Sequence, residues 1–158
     1  MTLADLPAVT SIAAQVHPDY PEDATIFAER LELHPAGCHV LADRDDFLVG
    51  YVMSHPWLFK EPPALNARLS RLPDKPTTYF LHDIALLPRA RGGGYANGMA
   101  RTIIHEARVA GFTNVSLVAV NKSGPFWAKH GFRVEDDPAL NETLRKYEAD
   151  ARLMVRDL

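Results

Sequence analysis

Apolar residues recur at helical spacing near the start of the chain. Across residues 3–16 they fall every three or four positions, which predicts an amphipathic helix that ends near His17. A second helix is predicted to begin at Pro21, because acidic residues fill its first turn and apolar positions continue on one side. The same spacing over residues 94–110 predicts a third helix, which Gly111 is suitably placed to end.

Runs of β-branched, aromatic and aliphatic residues predict strands between and after these helices. Residues 77–87 are almost wholly apolar, which is typical of a strand buried on both faces. A short helix is predicted from Pro125 to His130. The other predicted strands cover residues 38–43, 47–55, 114–120, 131–135 and 148–158, the first two forming a hairpin. This order of elements predicts an α/β fold with a mixed sheet.

Prolines are concentrated between the second and third predicted strands. Five of them lie within residues 56–76 and interrupt regular structure across this stretch. Long irregular connections of this kind are commonly functional loops, so we expect the segment to contribute to a substrate site.

Length and composition predict one domain, residues 1–158, because 47% of the residues are hydrophobic and can form a core. The formal net charge of −3 argues against a general nucleic-acid-binding or membrane-surface protein, since such proteins carry a basic excess. A single cysteine, Cys38, excludes an internal disulfide. The amino-terminal residues lack the basic region of a signal peptide, and no stretch approaches the roughly 20 apolar residues of a membrane span. We therefore expect a cytoplasmic protein.

A glycine turn, residues 91–94, connects the buried strand to the third helix. Unpaired amides and the positive end of the helix dipole meet at a helix start, and glycines let the backbone approach an anion. Arg89 and Arg91 add local positive charge, so the turn is a candidate phosphate site. No Lys-Ser/Thr follows as in a P-loop, and Asn97 stands where the dinucleotide fingerprint needs its last glycine. The alternative is a plain turn with incidental arginines.

The segment Arg91-x-x-Gly94-x-Ala96 resembles the acyl-CoA signature of the GNAT acetyltransferase superfamily, which also follows a strand and precedes a helix. A second register that begins at Arg89 fits the pattern too, but only the first keeps the usual spacing from the preceding proline. The segment FWAKHGF, residues 126–132, resembles a second motif of the same superfamily.

The resemblance covers roughly residues 40–135. It implies a mixed, mostly antiparallel central sheet with helices on both faces and a V-shaped gap between two parallel central strands. One departure is the first strand of the superfamily, which is missing before the opening helix. We therefore expect that the chain starts late or was trimmed.

The resemblance implies acetyl-CoA as the cosubstrate and no metal. The pantetheine arm is expected beside the backbone of the buried strand, and the pyrophosphate over the glycine turn. The residues implied for this role are Leu86, Leu87, Arg91, Gly92, Gly93, Gly94, Tyr95, Ala96, Asn121 and Trp127.

Within the superfamily, LHDIALLPR looks most like the arylalkylamine (serotonin) N-acetyltransferases, where the histidine relays a proton from the amine. This match makes His82 the implied base, with a neutral core histidine as the alternative. Phe80 stands in place of a second relay histidine, and Trp127 in place of a tyrosine acid; indole cannot serve as an acid. Asp83 is the second catalytic candidate, although strand alternation predicts that it faces away from His82.

The acceptor pocket has three candidate aromatic residues. Trp57, Phe59 and Phe80 are candidates for the wall of an amine pocket. For Trp57 and Phe59 the alternative is a hydrophobic staple that holds the proline-rich segment in place. The pair Cys38-His39 resembles a metal fragment, but no second cysteine or spaced histidine pair accompanies it.

These observations predict an N-acetyltransferase that moves the acetyl group of acetyl-CoA to a primary amine, preferably a small molecule, by direct attack in a ternary complex. Two alternatives stay open: acetylation of a protein N-terminus or lysine, and a non-catalytic CoA-binding module. The acceptor, the acyl-chain preference and the group that protonates the thiolate are open, as is the oligomeric state, for which a homodimer is kept as an option.

Overall fold

The computed structural model describes residues 1–158, apart from the side chain of Asn141. The helices are α1 (Leu6–Val16), α2 (Ala24–Leu33), α3 (Tyr95–Val109), α4 (Gly124–Lys129) and α5 (Asn141–Arg145). The strands are β1 (Cys38–Ala42), β2 (Leu48–Trp57), β3 (Thr78–Leu86), β4 (Asn114–Ala119), β5 (Arg133–Val134) and β6 (Arg152–Asp157). No helix among the described residues is both long and apolar enough to cross a membrane.

The six strands form one sheet in the order β1-β2-β3-β4-β6-β5. Its pairs are antiparallel except for β3 and β4, which run parallel. That parallel pairing covers only Tyr79–Leu81 against Val115–Leu117, although β3 continues to Leu86. The strands therefore separate beyond Leu81, and the predicted V-shaped gap and mostly antiparallel sheet are confirmed.

Helices cover both faces of this sheet. On one face, α1 and α2 pack against β2, with Val9 and Phe27 meeting Tyr51 and Met53 in one buried cluster. On the other face, α3 and α4 pack against β3, β4 and β6 in a second cluster. The residues of this second cluster include Tyr79, Leu81, Ala100, Ile103, Val115, Leu117, Trp127 and Met154. The interpretation as a mixed α/β fold is therefore correct.

The carboxyl-terminal part departs most from the sequence prediction. Strand β5 has two residues rather than the five expected, and β6 begins at Arg152 rather than at residue 148. Helix α5, which the sequence analysis did not predict, lies between them. It is five residues long, and Leu144 is its only apolar side chain in a small buried cluster, which Leu140 joins from just before the helix, so its sequence shows no helical period.

The segment between β2 and β3, residues 58–77, is fixed to α2 by a buried ion pair. Glu29 and Arg30 are 5% and 1% exposed, and their side chains are 2.6 Å apart. The Glu29 carboxylate accepts the backbone N–H groups of Leu69 and Ser70, and Arg30 donates to the carbonyl of Ala67. The Glu29 and Arg30 side chains therefore provide hydrogen-bond partners for backbone groups of the segment, which has no helix or strand to satisfy them.

We expect Glu29→Gln to destabilise the protein by about 3 kcal/mol, because the amide group faces N–H donors and Arg30 stays buried without its counter-charge. The free energy of unfolding in urea measures the loss. Glu32→Gln, an exposed residue of the same helix, is the control and should change stability by less than about 0.5 kcal/mol. Equal losses for the two variants would contradict this account of the segment.

Candidate active site

The gap between β3 and β4 is a cleft of about 310 Å³. Leu81 and Ile84 of β3 line one side, and Leu117 and Val118 of β4 line the other. Trp127 and Phe126 of α4 also line the cleft, as does Asn121, which follows β4. Ala96 and Arg91 line the end of the cleft nearest the glycine turn. The cleft exists because the two strands stop pairing after three residues.

Side chains meet the unpaired edge of β3 within the cleft. The Ile84 carbonyl lies 3.3 Å from Nε2 of His17, and the Leu86 carbonyl accepts a hydrogen bond of 3.2 Å from Nε of Arg91. Backbone groups at an open strand edge can pair with an extended ligand, so this edge is suited to a peptide-like chain.

The outer end of the cleft continues into a depression of about 450 Å³ over the glycine turn. Gly92 and Gly94 have left-handed backbone angles, with φ of 85° and 78°, and a Cβ at either position would meet only open space. Helix α3 begins directly after Gly94, so its first amides face this depression. Gly93 differs, because a Cβ there would lie 2.7 Å from the Tyr95 ring.

An inner cavity of about 70 Å³ adjoins the cleft. It lies between the sheet and helices α1 and α2. Phe27, Phe80 and Tyr147 form aromatic walls, Glu22 contributes a carboxylate, and Leu65 of the 58–77 segment also lines it. The cleft and the inner cavity share five lining residues, His17, His82, Asp83, Val118 and Val120. A ligand in the cleft and a ligand in the inner cavity would come into contact at these five residues, which form the junction of the two spaces.

A β-bulge brings His82 and Asp83 to the same side of the sheet. Met53 of β2 pairs with Asp83, but Ser54 pairs with Leu81, so His82 is an extra residue on β3. Both side chains consequently line the cleft and the inner cavity. The expectation that Asp83 faces away from His82 is therefore wrong, because the bulge interrupts the two-residue alternation.

His82 forms a pair with a carboxylate that lies far from it in sequence. Its Nε2 is 3.1 Å from Oε2 of Glu22, and the two side chains are 9% and 8% exposed. Burial favours the protonated carboxyl of Glu22, but the His82 charge and hydrogen bond outweigh this and lower its pKa. The neighbouring His55 stays neutral, because burial and the charge of His82 lower its pKa to about 3.

Asp83 holds a second histidine at the junction. Nε2 of His17 lies 3.1 Å from Oδ1 of Asp83, and the Tyr51 hydroxyl donates to Oδ2. Burial alone would lower the pKa of His17, but the hydrogen bond and charge of Asp83 raise it above its usual value of 6.5. Burial likewise opposes the charge of Asp83, yet His17 and Tyr51 keep its pKa below the usual range.

The structure brings most of the expected residues to these spaces but leaves four elsewhere. Trp57 donates from Nε1 to the Glu61 carbonyl at 2.6 Å, and Phe59 packs on the cluster beneath α5, so neither lines the inner cavity. Leu87 is buried under α1, and its N–H donates to the Val49 carbonyl. Gly93 lies in the turn but outside the lining of the depression.

The sequence analysis missed His17 and Glu22 as site residues. His17 follows the last residue of α1, and Glu22 lies just before α2, so both come from the α1–α2 connection. An acidic residue at a helix start has an adequate local explanation, and no local pattern indicates that it faces a strand sixty residues away.

The described residues contain no cluster of histidine, cysteine and acidic side chains arranged to hold a metal ion. Cys38 is a buried free thiol, and burial raises its pKa to about 12.

The model of the acetyltransferase (GNAT) family matches residues 5–132. The chain belongs to this family. Among curated proteins, no sequence matches it significantly.

Three solved structures have the same GNAT fold. The loading GNATL domain of CurA from Lyngbya majuscula has a TM-score of 0.78 at 15% identity, with 99% of this chain and 94% of that chain covered. GphF, a GNAT-like decarboxylase in complex with isobutyryl-CoA, has a TM-score of 0.76 at 16% identity, with 99% and 96% covered. Ard1 from Thermoplasma volcanium has a TM-score of 0.75 at 16% identity, with 100% and 94% covered. At these identities the likeness concerns the fold alone.

The raised pKa of His17 makes part of the stability of this GNAT chain pH-dependent. The folded pKa lies above the unfolded value, so the His17–Asp83 pair stabilises the fold fully below the unfolded pKa of His17, down to the acid range where Asp83 protonates. The contribution is lost as pH rises through the folded pKa of His17. We expect His17→Asn to cost about 1–3 kcal/mol near pH 6 and progressively less at higher pH, measured by urea unfolding. A cost that does not vary with pH would contradict the ion pair.

Proposed function

We propose that this GNAT chain transfers the acetyl group of acetyl-CoA to a small primary amine. The observation that carries the proposal is the junction of the cleft and the inner cavity, which share His17, His82, Asp83, Val118 and Val120. A donor in the cleft and an acceptor in the cavity would meet at that junction with a paired histidine beside them. Direct attack in a ternary complex needs this arrangement, since it gains from holding both reactants in contact.

The cleft fits the donor by shape and charge. Two glycines without obstructing neighbours, the first amides of α3 and Arg91 suit a pyrophosphate, and the edge of β3 beyond Leu81, which has no partner strand, suits an amide-containing arm. The neighbour GphF holds isobutyryl-CoA, which supports a CoA thioester as the donor. Acetyl-CoA would supply an activated acetyl group, and the protein residues bind and orient it.

The inner cavity favours a small acceptor. It is narrow, and residues Ala64 and Leu65 of the 58–77 segment cover it while the Tyr147 hydroxyl bonds the Pro63 carbonyl of the same segment. Its aromatic walls suit an apolar arm, and the Glu22 carboxylate suits an ammonium group. A protein substrate would need a more open groove than a covered cavity of this size.

His82 is the residue that we propose as the base. An alkylammonium with a pKa near that of lysine, about 10.4, is almost entirely protonated at neutral pH, so attack on the thioester requires removal of a proton. Nε2 of His82 bonds Glu22, which fixes the ring at the junction. Glu22 would orient the His82 imidazole, and the imidazole would accept the proton of the amine nucleophile, as in other sites where a base activates a nucleophile.

We expect Gly94→Glu to abolish binding of acetyl-CoA. The new carboxylate would project into the open depression where the pyrophosphate is proposed to lie, and would repel it. Gly111→Glu is the matched control, because Gly111 has a similar left-handed φ of 81° and equally open space, but lies at the other end of α3. Calorimetry with acetyl-CoA should show binding lost in the first variant only; unchanged affinity of a folded Gly94→Glu variant would refute the donor site.

We expect His82→Gln to lower kcat/KM by about 10²–10⁴-fold at neutral pH, the usual contribution of a general base, without weakening acetyl-CoA binding. The rate should partly recover at high pH, where the amine loses its proton unaided. A panel of alkylamines, arylalkylamines and peptides with acetyl-CoA, followed by release of free thiol, first identifies the acceptor. His105→Gln, on the exposed side of α3, is the control.

The panel also separates the alternatives. Turnover of peptides in preference to amines would replace the small-molecule proposal by protein acetylation. Binding of acetyl-CoA without turnover of any acceptor would support a non-catalytic module. A His82→Gln variant with normal rates would show that another group accepts the proton.

A further inference from the structure

The proposed reaction does not yet name the group that gives a proton to the sulfur of CoA. When the acetyl group moves to the amine, the sulfur of CoA leaves with the electron pair of the broken C–S bond. Trp127 lines the cleft, but its indole N–H is not an acid at physiological pH. The other groups at the junction must therefore be considered.

His17 lies where such a donor is needed. Its side chain lines both the cleft and the inner cavity and is 18% exposed, so it reaches the junction without being freely solvated. Nε2 lies 3.1 Å from Oδ1 of Asp83 and 3.3 Å from the Ile84 carbonyl. Both contacts are acceptors, so Nε2 carries a hydrogen and Nδ1 is the atom that can exchange a proton with a ligand.

We propose that His17, held in place by Asp83 and Tyr51, is the acid that protonates the departing sulfur of CoA. The inference rests on the proposed acetyl transfer and adds a second histidine to it. His82 then serves the acceptor side of the junction, and His17 serves the donor side.

The step balances with these two histidines. His82 first accepts the ammonium proton and releases it to water. The free amine nitrogen then forms the new C–N bond and gives a second proton to His82, while the C–S bond breaks and Nδ1 of His17 gives its proton to sulfur, which leaves as a thiol. After one turnover His82 has gained one proton and His17 has lost one. Exchange with water restores both, and no oxidant, reductant or further reactant is needed.

The charges around His17 favour its protonated form. Asp83 contacts it from β3, Glu22 faces it from the α1–α2 connection, and Tyr51 reaches it through Asp83 from β2. The His82 side chain is the other histidine in range of Asp83. Burial opposes protonation, yet the two carboxylates prevail and the pKa of His17 is raised. The two carboxylates therefore favour a proton on His17, which it can transfer to a ligand.

The tyrosines near the junction are less suited to this role. Tyr51 donates its hydroxyl hydrogen to Asp83, and burial raises its pKa well above 10. Tyr147 donates to the Pro63 carbonyl. Tyr20 lines only the inner cavity, and burial raises its pKa to about 12.

The deciding experiment follows the imidazole of His17 by NMR in the intact chain of residues 1–158 labelled at histidine. Its titration is compared without ligand, with CoA and with desulfo-CoA, which lacks only the sulfur. If Nδ1 faces the sulfur, CoA shifts the midpoint of His17 and desulfo-CoA does not. His34 follows the last residue of α2 as His17 follows that of α1, but it bonds Tyr79, so its signal is the internal control.

The pH profile of kcat supplies the second readout. The wild-type profile should fall at high pH as His17 loses its proton; His17→Asn should remove that falling limb and lower kcat about 10²-fold or more, and Asp83→Asn should move the limb to lower pH. His34→Asn should leave the profile unchanged.

The outcomes separate this inference from the proposed function. Equal His17 midpoints with CoA and desulfo-CoA, or a falling limb that survives in His17→Asn, overturn the role of His17 while acetyl transfer stands. If the protein fails to bind CoA at all, the proposed function and the role of His17 fall together. A sulfur-dependent midpoint supports the inference even before the acceptor amine is known.

Discussion

The limited pairing of β3 with β4 is the constraint on which the candidate site depends. Hydrogen bonds join the two parallel strands only at Tyr79–Leu81 and Val115–Leu117, and both strands then continue without each other. An unpaired strand edge in the middle of a sheet exposes backbone donors and acceptors that must find other partners. Here His17 and Arg91 reach the Ile84 and Leu86 carbonyls from the two ends of the gap. The opening that makes a ligand site is thus held by side chains of that site.

The sequence predicted the framework well because the framework follows local rules. The apolar run at residues 77–87 and the periodic stretch at 94–110 carry the strand and helix that flank the glycine turn, and both form nearly as expected. The turn itself was recognisable because three consecutive glycines lie between a strand and a helix, and two of them adopt the positive φ that glycine allows. Helix α5 was missed since five residues are too few to display a period.

Parts of the candidate site could not be predicted, because they depend on a register shift and on distant partners. One extra residue in β3 places His82 and Asp83 side by side, and an inserted residue leaves no trace in an apolar strand. Glu22 and His17 gain meaning only when the α1–α2 connection folds onto β3. Trp57 and Phe59 suggested a pocket by their aromatic character, but the buried Glu29–Arg30 pair fixes the segment that follows Trp57 so that Ala64 and Leu65 line the cavity instead.

The separate positions of the two spaces bear on the kinetics of the protein. The cleft reaches the surface at the glycine turn, whereas the inner cavity lies beneath a segment fixed by hydrogen bonds to α2. A ligand that leaves through the first opening does not have to pass the second. Under the proposed function, the donor would therefore exchange through the opening at the glycine turn while the acceptor stays in the inner cavity.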